Sequence, residues 1–271
     1  MDNPRHLDPD RPHAAEHPVA GDASRVSVTR RTSYPRGHVI EPHWHARGQL
    51  VYAVEGTMTV RARRRAWIVP PDRALWMPPR TVHEIRTHSA VEMHSLYLNA
   101  PASAAMPAAS VVLEVTPLMR ELVVRAVALP AHHDDAGDDG LLMRLLFAEL
   151  ARLRRCALDL PLPASGDLAR LCDRILADLS SRRPCAHDAG EMGTSTRTLY
   201  RRFLAETGIT FARWKQQARL LEAIRRLAGG APVTTVALDL GYGSTSAFST
   251  MFRRSLGISP RDFVAGHGRG R

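Results

Sequence analysis

Two histidines one residue apart, His43 and His45, flank Trp44 in a stretch of short β-type runs. Alternation along a strand puts both imidazoles on one side. There they can ligate a divalent transition metal or supply polar groups to a small-molecule pocket. A second group of chemically able residues lies in STRTLYRRFLAETG, Ser195 to Gly208. If that stretch is helical, Leu199 and Phe203 share an inward face, which leaves Arg197, Tyr200 and Arg201 outside. Arginine forks onto guanine and also grips phosphate, so the outer face carries the chemistry of nucleic-acid contact.

The elements that must position these residues are legible around them. A shift of 49 residues lays Ser195 on Ser244, Thr196 on Thr245, Leu199 on Phe248, Phe203 on Phe252 and Gly208 on Gly257, so STSAFSTMFRRSLG repeats the first stretch. Each copy opens on a serine that caps a helix N-terminus and closes on a glycine suited to a left-handed stop. Upstream of the second copy, Ala237 lies four residues before Gly241, and Ala189 and Gly193 repeat that spacing upstream of the first. A small residue at that distance from a glycine turn lets two helices cross closely, which predicts two helix-turn-helix units. The second helix has no arginine in its first two turns. Its Arg253 and Arg254 are expected to hold the phosphate backbone, the bland alternative being a solvated face. In the first unit, Gly190 inside a short helix costs about 1 kcal/mol relative to alanine, so that unit is expected to be marginal.

Charge agrees with this placement. The 271 residues carry a net charge of +10, and from Asp167 onward 17 basic residues face 9 acidic ones, so +8 of the +10 resides there. A basic half is the electrostatic footprint of a phosphate-binding unit. Cys156, Cys172 and Cys185 have neither metal-site nor disulfide spacing, which suits a reducing compartment. No apolar run approaches the length of a membrane span and no signal-peptide pattern opens the chain, so no membrane partner and a cytoplasmic location are expected.

Residues 1–24, polar and rich in proline and histidine, read as a disordered tail. Residues 25–100 hold Val26 to Val28, Leu50 to Val54, Met58 to Val60, Ala66 to Val69, Ala74 to Met77 and Met93 to Leu98, separated by Gly and Pro, which predicts an antiparallel barrel or sandwich. Residues 101–157 form a helical connector: Thr116 caps a helix from Leu118 to Leu129, and Leu142, Leu145, Leu146, Leu150 and Leu153 stripe a second helix over 140–156. That stripe packs on the barrel or pairs with a second copy. Residues 158–166, with Pro161 and Pro163, read as a stiff linker, and 167–266 as the helical unit with both repeats. Within it, the run from Phe211 to Leu227 reads as a strut that sets the separation of the two repeated helices.

From Asp167 to Phe263 the chain resembles the DNA-binding domain of the AraC-type (AraC/XylS) transcription regulators, on the motifs TLYRRF, RLLEAIRRLAGG, VALDLGY and FRRSLGISPRDF. The resemblance implies base-edge contacts to double-stranded DNA from Thr196, Arg197, Tyr200 and Arg201, and from Thr245, Ser246, Ser249 and Thr250. Gly37, His43, His45, Gln49 and Gly56, followed by PPRTVH ending at His83, resemble the two motifs of cupin barrels. The resemblance implies that His43, His45 and His83 converge on a possible divalent transition metal. It departs in that Gln49 stands where cupin enzymes carry glutamate and Arg80 where they carry glycine. Without metal, His43, His45, Gln49 and His83 would line an effector pocket with Tyr52, Trp76 and Met77 as walls; the alternative is that the histidines satisfy one another.

The fold class expected is therefore α+β in two domains: a cupin-like antiparallel β-barrel with a helical connector, then an all-α double helix-turn-helix domain. Its function would be sequence-specific transcription regulation under a small-molecule effector, as a homodimer that touches RNA polymerase, and without enzymatic activity. Two rivals are a cupin metalloenzyme, an oxygenase or isomerase, with a DNA-binding appendage, and an architectural DNA-binding protein that senses nothing.

Overall fold

A computed structural model of the chain describes residues 14–18, 25–130, 132–156, 158–181 and 183–267. The N-terminal unit, which ends at Leu158, contains β1 (Ala15–Glu16), β2 (Ser27–Tyr34), β3 (Val39–Trp44), β4 (Gly48–Glu55), β5 (Met58–Ala62), β6 (Arg65–Val69), β7 (Arg73–Met77), β8 (His83–Thr87), β9 (Val91–Leu98), α1 (Ala100–Ala104), β10 (Val111–Glu114), α2 (Pro117–Val127), α3 (Asp138–Arg152) and β11 (Arg155–Cys156). One sheet of this unit runs in the order β1-β3-β8-β5-β6, and the other β11-β10-β7-β4-β9-β2. Among the described residues no strand joins the two sheets into a closed barrel.

Strand β4 explains the layering. It is buried on both faces from Gly48 to Val54, and alternation sends Leu50, Tyr52 and Val54 into a core with Met119, Leu122 and Val123 of α2 and Met143, Leu146 and Leu150 of α3. Gln49, Val51 and Ala53 point to the opposite face. Helix α2 starts where Thr116 Oγ1 accepts the Met119 amide at 3.1 Å and Pro117 fills the first position.

Two expectations change here, and one of two alternatives is filled. The tail expected over 1–24 falls mostly outside the described residues, but its residues Ala15 and Glu16 pair parallel with His43 and Trp44 of β3. The connector is not purely helical, because β10 pairs with β7 and extends the second sheet. The leucine stripe of α3 is largely consumed by packing on that sheet. Leu146, Leu150 and Leu153 are buried, whereas Leu145 is 46% exposed and Leu141 57%.

The C-terminal unit begins at Asp159 and contains β12 (Asp159–Pro161), α4 (Gly166–Ala177), α5 (Cys185–Glu191), α6 (Thr196–Thr207), α7 (Phe211–Ala228), α8 (Val233–Asp239), α9 (Thr245–Leu256) and α10 (Pro260–His267). Part of the expected linker belongs to this unit, since the Trp214 indole N–H donates to the Pro161 carbonyl at 2.7 Å. Two aromatic clusters build its core. Phe203 meets Phe211 and Trp214 edge-on at 5.0 and 5.7 Å, and Phe252 meets Phe248 and Phe263 at 5.7 and 5.5 Å. The clusters contain the paired positions of the repeat, Phe203 and Phe252, so the internal symmetry of the sequence is a symmetry of packing. No helix of the described residues is long and apolar enough to cross a membrane.

Candidate functional site

In the N-terminal unit the three histidines come together. Strand β3 pairs with β8 through Ile40 and Ile85, then slips by one residue, so that His43 lies opposite His83. Without that bulge His43 would face position 82 and the two imidazoles would fall on opposite sides of the sheet. Their ring centroids are 4.2 Å apart, and His45 lies 5.1 Å from His43. One ring nitrogen from each of the three lies within 4.8 Å of the others. All three side chains are buried. Desolvation pushes the His43 imidazole down to about 4 and His83 to about 3, and it lowers His45 as well. The cluster is therefore neutral at physiological pH.

Arg80 resolves one departure from the cupin pattern. Its φ is 59°, the left-handed region that glycine occupies freely. The backbone turn is thus kept, and its amide donates to the His45 carbonyl at 2.8 Å.

Register decides which other residues share this face. Gln49 pairs with Met77 and Tyr97, and its amide N–H groups reach Ser95 Oγ at 3.1 Å and Tyr97 Oη at 3.2 Å. The Tyr97 ring stands 4.9 Å from His45. Gln49 and Met77 thus sit on the histidine side. Tyr52 and Trp76 do not: they belong to the core against α2 and α3, with the Tyr52 hydroxyl donating to Pro71 O and the Trp76 indole to Pro107 O. The expectation that they wall the pocket is corrected by strand parity: Tyr52 lies an odd number of residues from Gln49 on β4, and Trp76 from Met77 on β7, so each faces the other way. Ser95 and Tyr97 belong to no motif in the sequence, although the two-residue period of the β9 run carries the signal that would find them.

The outer face holds a fourth buried histidine. The His94 Nε2–H donates to Glu92 at 2.9 Å, and its Nδ1 is buried with no partner. Desolvation lowers its pKa, while Glu92 opposes the shift and Arg31 and Arg120 add to it. The unfolded chain therefore takes up a proton near pH 6.5 that the folded chain refuses. Stability contributed by His94 is fully present above that pH and is lost as pH falls below it, by up to about 1.4 kcal/mol per pH unit. His94→Gln is expected to flatten the pH dependence of urea unfolding between about pH 6.5 and the lowered pKa by that amount. An unchanged slope would exclude His94 as a source of acid sensitivity.

The C-terminal unit carries the second site. Ser195 Oγ accepts the Thr198 amide at 3.2 Å to start α6, and Ser244 Oγ accepts the Ala247 amide at 3.1 Å to start α9. Gly208 and Gly257 end them with φ of 74° and 82°. In the turns, the Thr194 amide donates to Ala189 O at 2.9 Å and the Tyr242 amide to Ala237 O at 3.0 Å. These turn residues are related by 48 positions, the helices by 49, so the second turn holds one extra residue. The pairs α5–α6 and α8–α9 are thus equivalent helix-turn-helix units.

Charges sort into two groups. Arg202 is paired with Asp167 at 2.8 Å and Arg226 with Asp239 at 2.5 Å. Arg174 and Arg183 neutralise the buried Asp188 at 3.3 and 3.6 Å and also bind Glu191. This network satisfies the buried carboxylate and the acidic end of α5 in the first unit. Arg197, Arg201, Arg253 and Arg254 are exposed, and among the described residues none forms a salt bridge. Thr196 is half-buried beside Arg197. Tyr200 is exposed but shares a side-chain hydrogen bond with Cys185 of α5, so it also braces the unit. Thr245, Ser246, Ser249, Thr250, Arg253 and Arg254 all line one open groove of about 790 Å3, with Arg261 of α10 on its wall.

The helix-turn-helix domain family matches residues 189–266, and the AraC-like ligand binding domain family matches 25–150. Over 223 residues the chain is 31% identical to the HTH-type transcriptional regulator NimR of Escherichia coli, spanning 82% of this chain and 81% of that protein. The chain belongs to the AraC family. This AraC-family regulator is also 34% identical over 126 residues to the HTH-type transcriptional activator RhaS of Klebsiella pneumoniae, covering 45% of each. Among solved structures it is similar to the DNA-binding domain of AdpA in complex with a target DNA, with 32% identity over 40% of this chain and 97% of that one and a TM-score of 0.37. It is a transcription regulator with a ligand-binding N-terminal domain and a DNA-binding C-terminal domain.

Proposed function

We propose that α6 and α9 enter successive major grooves of double-stranded DNA, and that an effector bound between the sheets of the N-terminal unit alters that binding. Thr196, Arg197, Tyr200 and Arg201 of α6 read base edges, arginine by forking onto guanine. Thr245, Ser246, Ser249 and Thr250 of α9 contribute hydroxyl and methyl contacts, while Arg253 and Arg254 hold phosphate. The observation that carries this reading is the sorting of charge: Arg197, Arg201, Arg253 and Arg254 on the outer faces of the repeated helices form no salt bridge among the described residues, while Arg174, Arg183, Arg202 and Arg226 of the same unit are committed to carboxylates. The effector site comprises His43, His45, Gln49 and His83, joined by Met77, Ser95 and Tyr97. The regulator works in the cytoplasm as a homodimer, associating through Leu141 and Leu145 of α3, and contacts RNA polymerase when bound.

Selection of bound sequences from random DNA, done with the full-length chain at two salt concentrations, tests the interface. The expected product is an asymmetric motif over two adjacent major grooves. Binding that enriches no sequence and vanishes in moderate salt would reduce the interface to phosphate attraction alone.

A further inference from the structure

We infer that the cavity bounded by α4, the loop before α5, and α7 binds a phosphate group, held by Arg174, Arg183, Lys215 and Arg219. The site lies within the C-terminal unit. It shares no residue with the histidine face or with the residues proposed to read DNA, so it stands independently of the roles assigned to them.

Shape is the first ground. The cavity has a volume of about 180 Å3 and is lined from three directions: Arg174 comes from α4, Ser181 and Arg183 from the loop that enters α5, and Lys215 and Arg219 from α7. The last two are four residues apart and so stand on one face of their helix. A water takes up about 30 Å3 in the liquid, so the space suits a tetrahedral oxyanion with a few waters rather than an extended molecule.

Charge is the second. Four cations line the cavity against two carboxylates, Asp178 and Asp188. The excess stays positive when Glu191, which binds Arg174 and Arg183, is counted with them. Asp188 and Glu191 fix those two guanidinium groups in place without using every donor. The Arg183 Nε is buried with no hydrogen-bond partner, because Asp188 lies 3.6 Å from it, beyond bonding reach. On α7 the Arg219 Nε donates to the Leu179 carbonyl at 2.9 Å. Neither Arg219 nor Lys215 forms a salt bridge among the described residues. An unmet donor beside two cations that no carboxylate answers is a place for an anion.

Donor chemistry sets the class of anion. Lys215 is the one lysine among 37 basic residues, and its ammonium rests 5.7 Å from the Phe211 ring centroid. An ammonium is a compact point charge with three rotatable donors, whereas a guanidinium is a planar fork. Forks and a point charge together suit phosphate, which brings about −1.5 to −2 charge and three or more acceptor oxygens to donors on every side. A carboxylate, with two oxygens and a single charge, would leave part of the lining unanswered. The group comes either from the DNA backbone or from a free phosphate compound; the chemistry at the cavity is the same.

Because Lys215 is the only lysine, acylation by an amine reagent reads the cavity at one side chain. Full-length protein is labelled in chloride and in inorganic phosphate at equal ionic strength, with free Nα-acetyl-lysine as the reference for reagent loss. Mass spectrometry then gives the rate at Lys215. A saturable fall is expected, about tenfold at a phosphate concentration ten times the dissociation constant. Labelling with operator duplex in place of phosphate separates the sources. Protection by inorganic phosphate without DNA assigns the cavity to a free phosphate compound, and protection by duplex alone assigns it to the DNA backbone. Arg183→Gln should weaken either protection by about 10- to 150-fold, the worth of a charged hydrogen bond. Arg254→Gln, outside the cavity, should leave protection by inorganic phosphate unchanged. Equal Lys215 rates in chloride, phosphate and duplex would overturn the site, as would protection indifferent to Arg183→Gln. Should that variant not fold, Lys215→Gln decides: phosphate should raise the thermal midpoint of the wild type more than that of the variant, and an equal rise would overturn the site.

Discussion

Phe203→Ala is expected to destabilise the C-terminal unit by about 3 to 5 kcal/mol, a large share of what holds a small domain together. Phe203 is fully buried, and its ring is gripped by Phe211 and Trp214 from α7. The gap cannot close cheaply, because α6 is pinned at one end by its serine cap and at the other by Glu206. That carboxylate accepts the Ala164 and Ser165 amides at 2.8 and 2.9 Å, next to the start of α4. Leu204→Ala is the matched control. Leu204 is 45% exposed, so its truncation should change stability by no more than about 0.5 kcal/mol. Urea denaturation followed through the helical far-ultraviolet signal reads both. A loss below about 1 kcal/mol for Phe203→Ala would mean that the aromatic cluster relaxes into the space.

Arg197→Ala and Arg201→Ala should each weaken operator binding by about 1 to 3 kcal/mol, roughly five- to 150-fold, without loss of stability. Neither arginine forms a salt bridge among the described residues, so nothing internal is broken when it goes. If they read bases, discrimination is relaxed at one position of the operator per variant. If they hold phosphate, affinity falls by a similar factor on every sequence and the salt slope drops by about one. Arg202→Ala separates location from charge. It removes the same charge from the same helix, but Arg202 is turned inward onto Asp167 at 2.8 Å. It should leave the DNA sequence preference unchanged and cost stability of about 1 kcal/mol or less, as a partly exposed pair. Operator titrations with each variant at two salt concentrations distinguish the three outcomes.

The double helix-turn-helix is legible in the sequence because its signals are local. Serine caps, glycine stops and apolar residues four apart act within one or two turns of helix. Each of these signals fits inside a stretch of fourteen residues, and the 49-residue repeat checks one copy against the other. The same locality makes Arg197 and Arg201 outer-face residues, because helical spacing from Leu199 and Phe203 is enough to place them. The α+β class and the adjacency of His43 and His45 are legible for the same reason. What only the tertiary structure decides depends on partners distant in the chain. His43 faces His83 because of a bulge in the pairing of β3 with β8, and a one-residue slip has no signature in either strand alone. Tyr52 and Trp76 lie against α2 and α3, and Tyr97 and Ser95 beside the histidines, because register with β4 sets which parity faces which layer. The leucines of α3 likewise divide into buried and exposed only once the sheet beneath them is placed. Which arginines are free is also a tertiary matter, since a guanidinium is committed or available according to carboxylates that lie up to tens of residues away in the chain.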